Sequence, residues 1–221
     1  MSLRHVSGGY IEATANIPPI GGCTVCGFFT RKADRGVQSV FLLLRNSVTG
    51  HYQEVATDAA NDNLIGTRNA GDSASVMAIS TDAPFFAGYT FAGSGTNTCT
   101  IFGRVLTSAA MSTLTMDVDA QVVSADIFRF GEDGFGNWFD GESSGVMIFD
   151  RVLTDAELLA QSRQRTPINR VSLNRWYPEN DSGSASNNVV DFSGNARNGT
   201  VVGSPTVTTG ALVGYWMRAK T

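Results

Sequence analysis

Hydrophobic and polar residues alternate with a period of two along much of this chain. From Ser112 to Asp119 the run reads STLTMDVD, with Leu114, Met116 and Val118 on one side and Thr113, Thr115, Asp117 and Asp119 on the other. That pattern predicts a strand with one buried and one wet face. Val40 to Arg45 (VFLLLR) is apolar almost without a break, which predicts a strand covered on both faces. CTVCGFFT from Cys23, PFFAGYTFAG from Pro84, TCTIFGRVL from Thr98, ADIFRFG from Ala125 and SGVMIFD from Ser144 read as further strands. The turn sequences NSVTG, NAGDS, GSGTN and EDGFGN punctuate them. Many short strands joined by Gly/Asn/Asp/Ser turns predict an all-β, antiparallel sandwich or barrel. No self-similarity recurs at a period of roughly 20–50 residues, which excludes solenoids and propellers.

One helix stands out, near residues 154–165. Thr154-Asp-Ala-Glu157 is a capping box: the Thr hydroxyl takes the third amide of the helix and the Glu reaches back to the cap amide. Asp155 and Glu157 suit the positive end of the helix dipole. The helix must stop before Pro167, and Leu158 and Leu159 are the residues that would pin it to a sheet. The tail changes character at Glu179–Asn188 (ENDSGSASNN), a polar loop flanked by strand-like segments. Some 40 residues cannot build a core unaided. Residues 1–221 therefore read as a single domain, with 168–221 packed into the same sandwich.

Composition narrows the class. Of 221 residues, 42% are hydrophobic and 16% charged, so the chain can bury a core and is not a disordered one. A net charge of −4 lacks the basic stripe that nonspecific nucleic-acid binding needs. No run approaches the ~18 apolar residues of a membrane span. Met1-Ser-Leu-Arg-His5 lacks the apolar core of a secretory signal. The cysteines are Cys23, Cys26 and Cys99. Cys23 and Cys26 sit on a strand signal, where positions i and i+3 face opposite ways about 10 Å apart. A bridge needs Cα atoms within about 7 Å. Buried thiols are favoured over a Cys26–Cys99 bridge or a metal site.

The run Leu114–Gln161 resembles the laminin-G-like branch of the concanavalin-A-like jelly rolls. Family members read roughly G-x-I-D-E-V-R-I-Y-x-R-A-L-[ST]-x-x-E. Gly141, Val146, Ile148, Phe149, Arg151, Leu153, Thr154 and Glu157 match that phrase in FDGESSGVMIFDRVLTDAELLAQ. The tail is similar to a second family phrase through Trp176, Asp191, Ser193, Gly194, Asn195, Gly199 and Thr200. The phrases cover about a third of the chain. Where the family carries an acidic pair that ties this strand to its neighbours, this chain has Ser144-Gly145, so the tie must be made otherwise. The resemblance implies a two-sheet antiparallel β-sandwich. It also implies a lectin-like role, with carbohydrate or glycoconjugate, and protein partners besides, as the binding classes. An extracellular, cell-surface or virion-associated place follows from the same resemblance.

The chemistry-bearing residues favour binding over catalysis. Asp117 and Asp119 have the i, i+2 spacing of paired carboxylates, but Gln121 stands where a third acid would be, and a turn begins at once. His5 and His51 sit in no nucleophile motif. The Gly-rich loops open strands and not a helix, which excludes a phosphate loop. The most suggestive segment is Glu132-Asp-Gly-Phe-Gly-Asn-Trp-Phe-Asp140. Phe135 and Trp138 could stack on the C–H face of a sugar, while Glu132, Asp133, Asn137 and Asp140 take its hydroxyls. Ca²⁺ would also accept these oxygens. The polar loop Thr57–Asn63 is a rival, and Trp176-Tyr177 and Tyr215-Trp216 read as packing. The sequence thus predicts a non-catalytic carbohydrate-binding module. The alternatives are a structural or adhesive surface or virion module, and a glycoside hydrolase or lyase.

Overall fold

The computed structural model describes residues 2–5, 9–14, 22–33, 35–58, 62–68, 72–92, 98–117, 125–178 and 188–208. Their strands are β1 (Ser2–His5), β2 (Tyr10–Thr14), β3 (Cys23–Arg31), β4 (Ser39–Arg45), β5 (Tyr52–Thr57), β6 (Asn63–Arg68), β7 (Asp72–Ala78) and β8 (Pro84–Phe91). The rest are β9 (Thr98–Val105), β10 (Ser112–Asp117), β11 (Ile127–Phe130), β12 (Gly141–Phe149), β13 (Leu173–Tyr177), β14 (Asn188–Val189), β15 (Gly199–Val202) and β16 (Thr206–Thr208). All described pairings are antiparallel. They form two sheets: sheet A runs β10-β9-β8-β3-β12-β1-β16 with β13 also on β12, and sheet B runs β14-β15-β2-β11-β4-β5-β6-β7. The expected two-sheet sandwich is therefore the observed one.

The main core lies between the sheets. Phe29, Phe41, Phe85 and Phe139 pack there, with ring centroids 4.7–6.1 Å apart. The strand expected to be covered on both faces is so covered: Leu42 and Leu44 join the main core, while Val40 and Leu43 form a separate outer strip with Ala56 and Ile65. Cys23 and Cys26 also divide, Cys23 into the main core with Cys99 and Cys26 into the outer cluster of sheet A. All three thiols are free and buried, and burial pushes their pKa values up, Cys23 to about 12. On β10, Leu114 and Met116 are half-buried while Thr113 and Thr115 are exposed, as the alternation predicts. Asp119 and Gln121 lie outside the described residues.

The helix α1 spans Asp155–Gln161 behind Thr154, whose hydroxyl accepts from the Glu157 amide at 3.3 Å, and both halves of the capping box are present. It ends earlier than the expected 165. Arg104 Nη1 donates to the Ser162 carbonyl at 3.2 Å and to its hydroxyl at 3.0 Å, so a buried cation satisfies the helix end from outside. Leu158 packs with Phe28, Phe86 and Phe102 on the outer side of sheet A. Arg151, at the exit of β12, pairs with Glu157 at 2.5 Å, and this partner and the Thr154 amide hold the Glu157 carboxyl down at about 2.

Ser144-Gly145 also has a physical account. The first half of β12 pairs with β1 and the second half with β13, and the change of partner falls at a register shift between Ser144 and Met147. Gly145 sits there at φ +59°, a left-handed backbone that glycine adopts without strain. The missing acidic tie is replaced by Arg165, whose Nη2 donates to Ser144 Oγ and to the Pro178 carbonyl. The second matched phrase is a staple for β13. Asp191 accepts from the amides of Trp176, Ser193 and Arg197 at 2.9–3.0 Å, and Asn195 Nδ2 donates to the carbonyls of Leu173 and Asn174. From the tail, β13 pairs with β12, β15 with β2 and β16 with β1.

Candidate functional site

The outward face of sheet B is built by register. Glu12, Arg129, Leu43, Glu54 and Thr67 stand side by side across β2, β11, β4, β5 and β6. Arg45 and Tyr52 form the adjacent row. Arg129 is tied to Glu12 at 2.6 Å.

The segment after β11 crosses this face before entering β12. Its root is fixed in the core. The Gly131 amide donates to the Phe41 carbonyl at 3.1 Å, and the Phe139 amide donates back to the Gly131 carbonyl at 2.7 Å. The Phe139 ring is fully buried 4.7 Å from Phe41. His5 lies beneath, so close that a Cβ at Gly131 would come within 2.4 Å of its Nδ1. Its Nδ1 meets the Gly9 carbonyl at 2.9 Å, its Nε2 meets Ser143 Oγ at 2.7 Å, and burial drives its pKa down to about 4. The loop is stapled to the sheet by Arg129 Nη1 on the Asp133 carbonyl at 3.1 Å and by the Val40 amide on the Asn137 carbonyl at 3.3 Å. Gly134, at φ +85°, has no room for a side chain, because a Cβ would meet that same Arg129 Nη1 at 1.8 Å.

The six candidate side chains lie on this loop but meet different partners. Asp133 is buried and is the loop's own staple: Oδ1 accepts from the Phe135 amide at 2.6 Å and the Asn137 amide at 3.2 Å, and Oδ2 accepts from Asn137 Nδ2 at 2.6 Å. Asp140 faces away to Arg4 at 2.5 Å. Trp138 is half-buried, with the Arg35 guanidinium 3.4 Å from its ring centre and Arg35 Nη1 on its carbonyl at 2.9 Å. Glu132 is half-buried, and burial, with the like charge of Asp133, pushes its pKa up. Phe135 is the outward residue, 58% exposed. Tyr52 flanks it at 6.0 Å between ring centres, and Arg45 lies 4.9 Å over its ring.

Pattern reading alone did not single out Arg35, Gln38, Arg45, Tyr52 or Glu54. The alternation Tyr52-x-Glu54-x-Ala56 was the available signal for the last two. In the rival loop, Asp58 accepts from Asn63 Nδ2 at 3.1 Å and Asp62 pairs with Arg31 at 2.6 Å; residues 59–61 lie outside the described ones. Among the described residues, no group of three or more His, Cys, Asp or Glu side chains is placed to hold a metal ion. Among them, no helix is long and apolar enough to cross a membrane.

What this arrangement can do is present one aromatic face beside guanidinium and amide donors on a pre-set loop. The fold is shared with solved structures of the concanavalin-A-like jelly-roll type. A candidate carbohydrate-binding protein of Bacteroides ovatus superposes with a TM-score of 0.66 at 13% identity, over 94% of this chain and 59% of its own; this chain thus spans less than two thirds of that protein. A heptameric pentraxin of Limulus polyphemus matches with a TM-score of 0.55 at 14% identity, over 74% of this chain and 83% of its own. The CBM40 module of a Ruminococcus gnavus sialidase, solved with α2,3-sialyllactose, matches with a TM-score of 0.52 at 14% identity, over 73% and 97%. Laminin α2 LG modules, a Trypanosoma rangeli sialidase and a bacteriophage tailspike protein share the fold over 33%, 27% and 28% of their lengths. No protein-family model and no curated protein sequence matches the chain.

Proposed function

We propose that this chain is a non-catalytic, lectin-like module that binds carbohydrate or glycoconjugate on the outward face of sheet B, with loop 131–140 as the contact. The observation that carries this is Phe135. It is a large apolar ring held 58% exposed on a loop whose other polar groups fix its position. An aromatic face of this kind stacks on the C–H face of a pyranose, and Arg45 and Asn137 are the neighbouring donors for its hydroxyls. Burying an ordered ring costs little conformational entropy on binding. The carbohydrate-binding names of two proteins with this fold favour the same reading.

The non-enzymatic part rests on the acids. Asp133 is spent on its own loop, Asp140 on Arg4, and Glu54 is only 2% exposed, which leaves half-buried Glu132 on the loop without a second carboxylate presented beside it to complete a hydrolytic pair. A glycan array with the intact chain tests the reading. We expect binding to a defined subset of glycans, with no release of reducing ends from them. An array without hits favours the structural or adhesive alternative, and release of reducing ends favours the hydrolase or lyase.

A further inference from the structure

On the outward face that this loop crosses, on β5 between Tyr52, which flanks Phe135, and Ala56, whose partner Val40 holds Asn137, lies a carboxyl that the binding surface does not use. Glu54 is 2% exposed, on the row between Leu43 and Thr67. Its Oε1 accepts from both Gln38 Nε2 and Thr67 Oγ1. Its Oε2 is buried and meets no donor among the described residues. A carboxylate wants donors at both oxygens, whereas a carboxylic acid tolerates one bare O–H far better.

The charged groups near it come from every neighbouring element. Asp133 and Glu132 lie in the loop that crosses the face, Arg129 on β11 and Arg45 on β4 share it, and Arg35 stands in the β3–β4 connection, where Lys32 is turned to Asp82 and Glu142; β6 presents Thr67, opposite Ser73 of β7. Of these, Asp133 adds a charge of the same sign to the burial of Glu54. Burial and this like charge push the Glu54 pKa from 4.5 up to about 7, against the two hydrogen bonds that lower it.

We propose that the loop tip 132–138, between the core-fixed Gly131 and Phe139, is a proton-controlled flap, docked on sheet B while Glu54 is protonated and loosened when Glu54 ionises near Asp133. Resting on the glycan-binding reading above, this makes presentation of Phe135 depend on one buried proton. Docking excludes water from Glu54, and undocking returns it to solvent and to its ordinary pKa. A group with pKa values of about 7 docked and 4.5 undocked shifts the open:docked ratio about 30-fold between about pH 5.5 and about pH 8.5.

Hydrogen exchange on the intact protein tests this without a ligand. Peptides covering 131–140 and, as a reference, β8–β9 are followed at both pH values and corrected for intrinsic exchange. We expect protection of the 132–138 amides to fall about 30-fold on going to the higher pH, while the β8–β9 peptide holds. In Glu54→Gln, which keeps the neutral shape and cannot ionise, the fall disappears. Equal protection at both pH values, or the same fall in Glu54→Gln, overturns the flap. Should Glu54→Gln not fold, the parent profile alone decides: a midpoint near pH 7 supports the flap, and a flat or acid-side profile refutes it. Glycan binding measured alongside keeps the two ideas apart. A pH-dependent fall in protection with no glycan bound sinks the binding reading only, and glycan binding without that fall sinks the flap only.

Discussion

His5 supports the root of loop 131–140 from below, and its burial gives a quantitative test of that placement. The ring is fully buried between Gly9 and Ser143, 5.9 Å from Phe139, and its pKa is pushed from 6.5 down to about 4. In the unfolded chain the imidazole takes a proton at about pH 6.5, whereas the folded protein refuses it until about pH 4. The unfolded state therefore binds more protons across this window, and stability rises with pH. The contribution is fully present above pH 6.5 and is lost as pH falls toward 4. Two and a half pKa units correspond to about 3.4 kcal/mol in full, and about 2.5 kcal/mol of that is lost between about pH 7.5 and about pH 4.5. Urea unfolding at about pH 7.5, 6 and 4.5 on the parent and His5→Gln reads this out. The variant is less stable than the parent at pH 7.5, through lost packing, and the gap narrows or reverses by about 2.5 kcal/mol at pH 4.5. Other titrating groups cancel in the difference. A gap that stays constant with pH would mean that His5 is solvated in solution and does not floor the loop.

Other consequences are simpler. Thr154→Ala removes the hydroxyl that caps α1 and should cost about 1 kcal/mol in a denaturant melt, since Glu157 keeps its pairing with Arg151. Ending the chain after Pro167 removes β13, β14, β15 and β16 and uncovers β12, β2 and β1. Tyr177 and Leu173 leave with them, at about 1.5–3 kcal/mol per buried side chain. We expect that protein to be unfolded or aggregated by circular dichroism and gel filtration; a monomer melting at the parent temperature would show residues 168–221 to be an appendage.

Much of the architecture was legible in the chain because it is encoded locally. Period-two runs marked β10, the apolar run VFLLLR marked a strand covered twice, and Thr154/Glu157 marked the helix start. The helix end was not legible, since Arg104 that satisfies it comes from β9, 58 residues away. The site was legible as a segment but not as a set of roles. Which of its side chains point outward depends on distant partners: Arg4 for Asp140, and Arg35 for the face of Trp138, across 103 residues. Glu54 reads in sequence as one polar residue in YQEVAT. Its partners Gln38 and Thr67 come from the β3–β4 connection and from β6, and the like charge of Asp133 comes from a loop some 80 residues later, so no window around it signals an unpaired carboxyl.

The most direct test of the account is the affinity of a glycan found on the array for two matched variants, Phe135→Ala and Phe192→Ala. Both remove an exposed ring, 58% and 47% exposed respectively, but Phe192 packs beside Trp176 on β13 of sheet A, away from the loop. Titration calorimetry on folded protein should show Phe135→Ala weakening binding by about 1–3 kcal/mol, roughly ten- to a hundredfold, with Phe192→Ala unchanged. Parent affinity in Phe135→Ala, or an equal loss in Phe192→Ala, would contradict a carbohydrate site on loop 131–140.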